Sequence, residues 1–322
     1  MKAIVYFRYG PPEVLRLADV EKPTPKDDEV LIKIHATTVT AGDCEIRAFK
    51  FPALFWIPIR IMFGLLKPKR NILGQELAGE VEAVGKVVSN FKEGDQVFAA
   101  TGGRLGAHAE YISLPNDVAM AKKSPSISYE EAAAIPTGGI NALHYLKMGD
   151  IESGDKILIN GAAGNFGTFA VQLAKHFGAE VTAVDSTDKL ELLRSIGADH
   201  VVDFTKEDFT KNGESYDIIF DVVGKSPFGR SVKALKPTGR YVIAIPKFFP
   251  LIRGSWISKT SNKKILFKFA DYKSEELVFL GELIEAGKIK VVIDKTYSFE
   301  EIPDAHRYVE TGRKQGNVVV AL

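Results

Sequence analysis

The residues best suited to chemistry lie in the run Ile159-Asn160-Gly161-Ala162-Ala163-Gly164-Asn165-Phe166-Gly167. From Ala162 it reads A-x-G-x-x-G. Small residues let a backbone come close to a large anion. A helix starting at that point adds unpaired N–H groups and the positive end of its dipole. Such a run cradles a pyrophosphate when it follows a strand and opens a helix. Lys156–Asn160 reads as the strand, and the residues through Lys175 read as the helix, closed near Gly178. The competing reading is a glycine-rich turn with no ligand.

Asp185 ends the next strand-like run, Glu180–Asp185. It lies about 20 residues beyond the glycines, where an acid accepts from the ribose 2′-hydroxyl of a dinucleotide. An acid there repels a 2′-phosphate and so favours NADH over NADPH. Ser186, Thr187 and Lys189 follow directly, and they suit a 2′-phosphate if Asp185 turns away. A plain helix N-terminal acid is the other role open to Asp185.

The elements around these residues fall into two patterns. Ala3–Phe7, Glu29–Ile34, Gly79–Val84, Gln96–Ala100 and Glu110–Ser113 are short, β-branched runs bounded by turn residues. From Ser128, a helix N-cap followed by Glu130 and Glu131, the pattern changes. Strands expected at Lys156–Asn160, Glu180–Asp185, Val201–Asp203, Tyr216–Val223 and Arg240–Ile245 alternate with helices, which predicts a doubly wound parallel sheet. Beyond residue 265 the pattern is mixed, with a helix at Glu275–Ala286 and strands at Ile289–Ile293 and Val318–Ala321. The expected division is a β-rich domain over 1–124 and 266–322 and a dinucleotide-binding domain over 125–265.

Composition excludes several classes. The chain has 322 residues, 42 Lys+Arg against 41 Asp+Glu, and one cysteine. Near-neutral charge leaves no basic footprint for nucleic acid. Cys44 alone can form neither an internal disulfide nor a cysteine-rich zinc site. A reducing cytoplasm is the expected setting. The apolar stretch Phe49–Leu66 is interrupted by Lys50, Pro52, Pro58 and Arg60, so it is not expected to span a membrane. A buried or site-lining insertion is expected instead.

Together the pieces Tyr9-Gly10-Pro11-Pro12, Gly74-Gln75-Glu76, Gly94-Asp95, Ala134-Ile135-Pro136, the glycine run with Ala170-Val171-Gln172-Leu173-Ala174-Lys175, Gly197-Ala198-Asp199 and Leu235-Lys236-Pro237-Thr238-Gly239 resemble the medium-chain dehydrogenase/reductase superfamily, in its quinone oxidoreductase branch. The resemblance covers nearly the whole chain. It implies an α/β fold with a GroES-like catalytic domain and a Rossmann domain, a catalytic cleft between them, and a homodimer. It implies dinucleotide contacts from Thr137, Ala162, Ala163, Gly164, Asn165, Phe166, Gly167, Asp185, Ser186, Lys189, Val222, Val223 and Asn317. Thr40, Asp43 and Arg47 fall on the segment that lines the cleft in relatives; Asp43 could instead be a structural acid paired with Arg47. Where some relatives carry a tyrosine near Asp43, this chain has Glu45.

The zinc-using alcohol dehydrogenases of the family place Cys, His and Cys at positions that here look like Thr40, Gln75 and Thr137. None is a good zinc ligand, and the six histidines, His35, His108, His144, His176, His200 and His306, have no metal spacing. No metal is expected. Without that Lewis acid, conjugated acceptors are favoured over simple alcohols. The expected activity is NAD(P)H-dependent hydride transfer to a small hydrophobic quinone or enone; Asp185 leans to NADH, whereas the resemblance leans to NADPH. A zinc-independent alcohol or carbonyl dehydrogenase, or a non-catalytic nucleotide-binding protein, are the alternatives. The stretches 49–66 and 248–256 are expected either to line an apolar substrate site or to pack in a core or dimer interface.

Overall fold

The computed structural model describes residues 1–51, 53–245 and 248–322, with side chains described apart from those of 53–55, 248, 249 and 251. Pro52, inside the first apolar stretch, lies outside the described residues. The chain divides into two compact units, one of Met1–Thr137, Tyr272–Ala286 and Ile293–Leu322, the other of Gly138–Asp271 and Gly287–Val292. Compared with the expected breaks at 124/125 and 265/266, residues 266–271 and 287–292 join the second unit and residues 125–137 join the first. The reason is local: Ser128 caps the helix Tyr129–Ala133, whose alanines are fully buried, and the Thr137 amide bonds to Glu76 of the first unit.

The second unit is built on six parallel strands. In sheet order they are His200–Asp203, Glu180–Asp185, Lys156–Asn160, Tyr216–Asp221, Leu235–Ile243 and Lys264–Leu266. Numbered along the chain this is 3-2-1-4-5-6, the doubly wound order. The strands are near-continuous apolar runs; Ile157, Leu158, Ile159, Ile219 and Val242 are fully buried, as both faces of a parallel sheet are covered. The strand order reverses between Lys156–Asn160 and Tyr216–Asp221, and ligands of such sheets bind outside the carboxyl ends at that point.

The first unit carries a seven-stranded, largely antiparallel sheet. Its hub is Glu29–Thr38, which pairs with Glu76–Val84, Tyr111–Pro115 and Asn317–Ala321. Val30, Ile32 and Ile34 alternate inward into a core with Leu77, Val81, Val97 and Leu114. The expected strand Ile289–Ile293 is displaced to Ile293–Ser298. Lys290 satisfies its backbone on the amide of the Gln172 side chain, at 2.9 and 2.8 Å, and the sheet picks up the chain only at Ile293, opposite Asn317. Among the described residues no helix is long and apolar enough to cross a membrane.

Candidate active site

The glycine run forms the turn between the strand Lys156–Asn160 and the helix Asn165–His176. Two glycines are dictated by space. Gly161 has φ of +87° and a Cβ there would lie 2.6 Å from Val223. A Cβ on Gly167 would lie 2.4 Å from the Gly161 carbonyl and 2.5 Å from Ala162 backbone, so only glycine lets the helix seat on the strand. Gly164 differs. Its Cβ would meet nothing nearer than 3.7 Å, and it is the helix N-cap with no side chain to fill that role.

The chain uses some of the loop's donors itself. The amides of Gly161 and Ala162 go to the Val184 carbonyl at 3.0 and 3.2 Å, and the Ala163 amide goes to the Asp185 carboxylate at 3.0 Å. Ala162 and Ala163 therefore contribute shape, and the donors for an anion are the first-turn amides of Asn165, Phe166 and Gly167, which a helix start leaves without intrahelical partners. An open space above Gly164 and these amides together fit a pyrophosphate.

Asp185 is buried and accepts from the amides of Ala163 and Ser186, at 3.0 and 2.9 Å, with the Lys189 ammonium at 3.4 Å. Its carboxylate is turned toward its own loop. Ser186 is half-buried and Lys189 buried; Ser186 donates to Asp188 at 2.6 Å. At the switch point the buried Asp221 gathers the Asn160 amide at 3.0 Å, the Gly224 N–H at 3.0 Å, the Tyr241 hydroxyl at 2.8 Å and the Ser226 hydroxyl. These bonds fix the turn bearing Val222 and Val223, of which Val223 is exposed. Asn160, Asp221, Ser226 and Tyr241 were not singled out from the sequence. An Asp ending a strand beside an Asn ending its neighbour is the only signal, and it appears once the register is known.

In the first unit Thr40, Asp43 and Gln75 form one network. Thr40 caps the helix Ala41–Ala48 in a capping box with Asp43: its hydroxyl donates to the Asp43 carboxylate at 2.6 Å and accepts from the Asp43 amide at 3.1 Å. Gln75 donates to the same hydroxyl at 2.8 Å, and the second Asp43 oxygen accepts from the Gly74 amide at 3.1 Å. The alternative pairing of Asp43 with Arg47 is not what the structure shows. Arg47 bonds to Glu310 at 2.6 Å and to the Gly10 carbonyl at 3.1 Å. Both Asp43 and Arg47 have no exposed surface, so they brace the helix rather than line a surface, because each carries a charge that the interior must satisfy.

Next to this network Glu76 is fully buried, accepting from the Thr38 hydroxyl at 2.5 Å and the Thr137 amide at 2.6 Å. Burial pushes its carboxyl up to about 7, against the pull of those hydrogen bonds. Asn317 is buried on the last strand of this unit.

A search for relatives agrees with this geometry. Residues 26–124 match the alcohol dehydrogenase GroES-like domain and residues 196–320 match the zinc-binding dehydrogenase family. The chain is 37% identical to the 2-methylene-furan-3-one reductase of Solanum lycopersicum, covering 99% of this chain and 79% of the relative. It is 34% identical, over the same shares, to the chloroplastic NADPH-dependent alkenal/one oxidoreductase of Arabidopsis thaliana. The quinone oxidoreductase structure from Coxiella burnetii superimposes with a TM-score of 0.89 at 29% identity, covering 100% of this chain and 99% of that one. The chain belongs to the medium-chain dehydrogenase/reductase superfamily, in its quinone oxidoreductase branch. The zinc named in one family description does not suit the residues here. At the positions that the resemblance equates with the zinc ligands, Thr40, Gln75 and Thr137 offer hydroxyl, amide and hydroxyl, where zinc takes thiolate, imidazole or carboxylate. Among the described residues no three His, Cys, Asp or Glu are grouped to hold a metal.

Proposed function

We propose that this superfamily member reduces a hydrophobic quinone or α,β-unsaturated carbonyl at the expense of NAD(P)H and without zinc. The observation that carries the reading is the open helix start at Gly164, set at the switch point of a 3-2-1-4-5-6 sheet. When bound, the reduced nicotinamide supplies a hydride to the conjugated acceptor. The amides of Asn165, Phe166 and Gly167 hold the pyrophosphate, Asp185 fixes the loop beneath it through Ala163, and Asp221 fixes the turn with Val222 and Val223.

The Thr40 proton is committed to Asp43, and Asp43 is fully buried with both oxygens engaged. Neither is placed to act as a general acid, so the proton that completes the reduction is drawn from water. Because the Asp185 charge is satisfied by two amides and Lys189, its repulsion of a 2′-phosphate is reduced. We therefore assign NADPH as the preferred cofactor, with Ser186, Thr187 and Lys189 the residues that would hold its 2′-phosphate; the Arabidopsis relative, named as NADPH-dependent, supports this choice. The test is steady-state turnover with NADPH and NADH against quinones and enones of increasing apolar tail length, beside simple ketones and alcohols. Turnover confined to ketones and alcohols, or cofactor binding without turnover, would overturn the proposal.

A further inference from the structure

The helix Ala53–Phe63 is built inside out. Its one charged residue, Arg60, points inward, with its guanidinium 3.8 Å from the ring centre of Phe49, 4.4 Å from that of Tyr9 and 5.2 Å from that of Trp56. Among the described side chains the outer side is apolar and, against the expected burial, exposed: Ile57, Ile61 and Met62 are 65%, 58% and 58% exposed. The turn that follows extends the surface, with Leu65 at 67% and Leu66 at 94%. Tyr9 and Lys69 hold this turn by bonding the Gly64 and Ile61 carbonyls at 3.0 and 2.6 Å. Phe7, Ile61, Leu65 and Leu66 open onto a pocket of 630 Å³. A monomer seldom exposes so contiguous an apolar patch without a partner.

Charge decides among partners. From Ile46 to Gln75 the chain carries Arg47, Lys50, Arg60, Lys67, Lys69 and Arg70 and not one Asp or Glu. Lys50, Lys67, Lys69 and Arg70 are exposed around the patch. A second copy meeting this face across a two-fold axis would set the rim cations of one copy against those of the other, which disfavours self-association. An apolar face bearing Trp and Leu with a lysine and arginine rim is what an interfacial helix presents to anionic lipid.

We propose that this face, Trp56–Leu66 with its cationic rim, docks the protein peripherally on anionic bilayers, the helix lying in the interface plane. The proposal is independent of the reaction assigned above. It is tested with the full chain carrying Trp256→Phe, which leaves Trp56 as the only indole. Vesicles of phosphatidylcholine with phosphatidylglycerol are compared with phosphatidylcholine alone, in low and high salt. The expected result is cosedimentation with the anionic vesicles, a blue shift of Trp56 emission, and release by salt. Lys50→Ala with Lys67→Ala should weaken partitioning on the order of 25-fold, at about fivefold per cation. Leu65→Ser with Leu66→Ser should weaken it about tenfold or more. These side chains are exposed, so melting curves should not change.

Three results would overturn the proposal. One is no binding to anionic vesicles at low salt. Another is binding that neither salt nor either double variant alters. The third is a Trp56 blue shift that appears without lipid as the chain dimerises in sedimentation velocity.

Discussion

Replacing Gly164 with Asp should separate folding from cofactor binding. Gly164 has φ of −78° and ψ of 179°, backbone that any residue adopts, and it is an N-cap without a capping side chain. An added Cβ finds its nearest neighbour at 3.7 Å. Aspartate is a better N-cap than glycine by a few tenths of a kcal/mol, and removing glycine lowers the freedom of the unfolded chain by about 0.4–1 kcal/mol. The apo variant should therefore melt no lower than the parent, and up to a few degrees higher. The same carboxylate would stand in the space we assign to the pyrophosphate. At roughly 5 Å and an effective dielectric constant of about 20 the repulsion is about 3 kcal/mol per phosphate charge, or at least about a hundredfold in affinity. Gly167→Ala is the contrast: its methyl meets Gly161 and Ala162 backbone at 2.4–2.5 Å, and overpacking of this kind costs about 1–3 kcal/mol of stability. Scanning calorimetry and titration of NADPH on the three proteins read both effects. A Gly164→Asp protein that binds NADPH as tightly as the parent, or that melts well below it, would refute the assignment of this helix start.

Other outcomes follow from the same structure. Asp185→Ser should weaken NADH and NADPH to the same extent by releasing the Ala163 amide, about 1–3 kcal/mol; fluorescence titration that shows only a change of preference would restore the ribose-binding role. Purified protein should carry no stoichiometric zinc by elemental analysis, and chelators should leave turnover unchanged. Because the folded-state value of Glu76 is raised from 4.5 to about 7, its contribution is fully present below about pH 4.5 and is lost as pH rises through 7. Glu76→Gln should remove that slope, up to about 3 kcal/mol, seen as urea midpoints that fall less between pH 5 and 8; equal slopes would contradict the buried carboxyl. Arg47→Leu leaves the Gly10 carbonyl without its donor, a cost of about 1–3 kcal/mol, while the exposed Glu310 is taken up by water and kcat per folded molecule holds; a kcat loss at unchanged stability would return Arg47 to the catalytic segment.

His108 and His306 supply the opposite limb of the pH profile. Both are fully buried, their rings 5.7 Å apart, and burial lowers both values below the ordinary imidazole range. The unfolded chain takes up protons below about 6.5 that these rings refuse, so stability falls as pH drops from there.

The sequence by itself determined whatever depends on local spacing. The glycine run between a strand and a helix and the parallel alternation after residue 156 were legible because turn sterics and periodicity are properties of short segments. The capping helix Ala41–Ala48 was not read, although Thr40 and Asp43 are spaced for a capping box. Tertiary structure decided the partners of charges. Arg47 finds Glu310 and Asp221 finds Asn160 and Tyr241 across 263, 61 and 20 residues, and Asp185 turns to Ala163 rather than outward. The inversion of the helix Ala53–Phe63 likewise appears only when Arg60 is seen folded over Phe49 and Tyr9. Such choices rest on which segments the sheets bring within a few ångströms, and a buried charge takes whatever partner that register supplies.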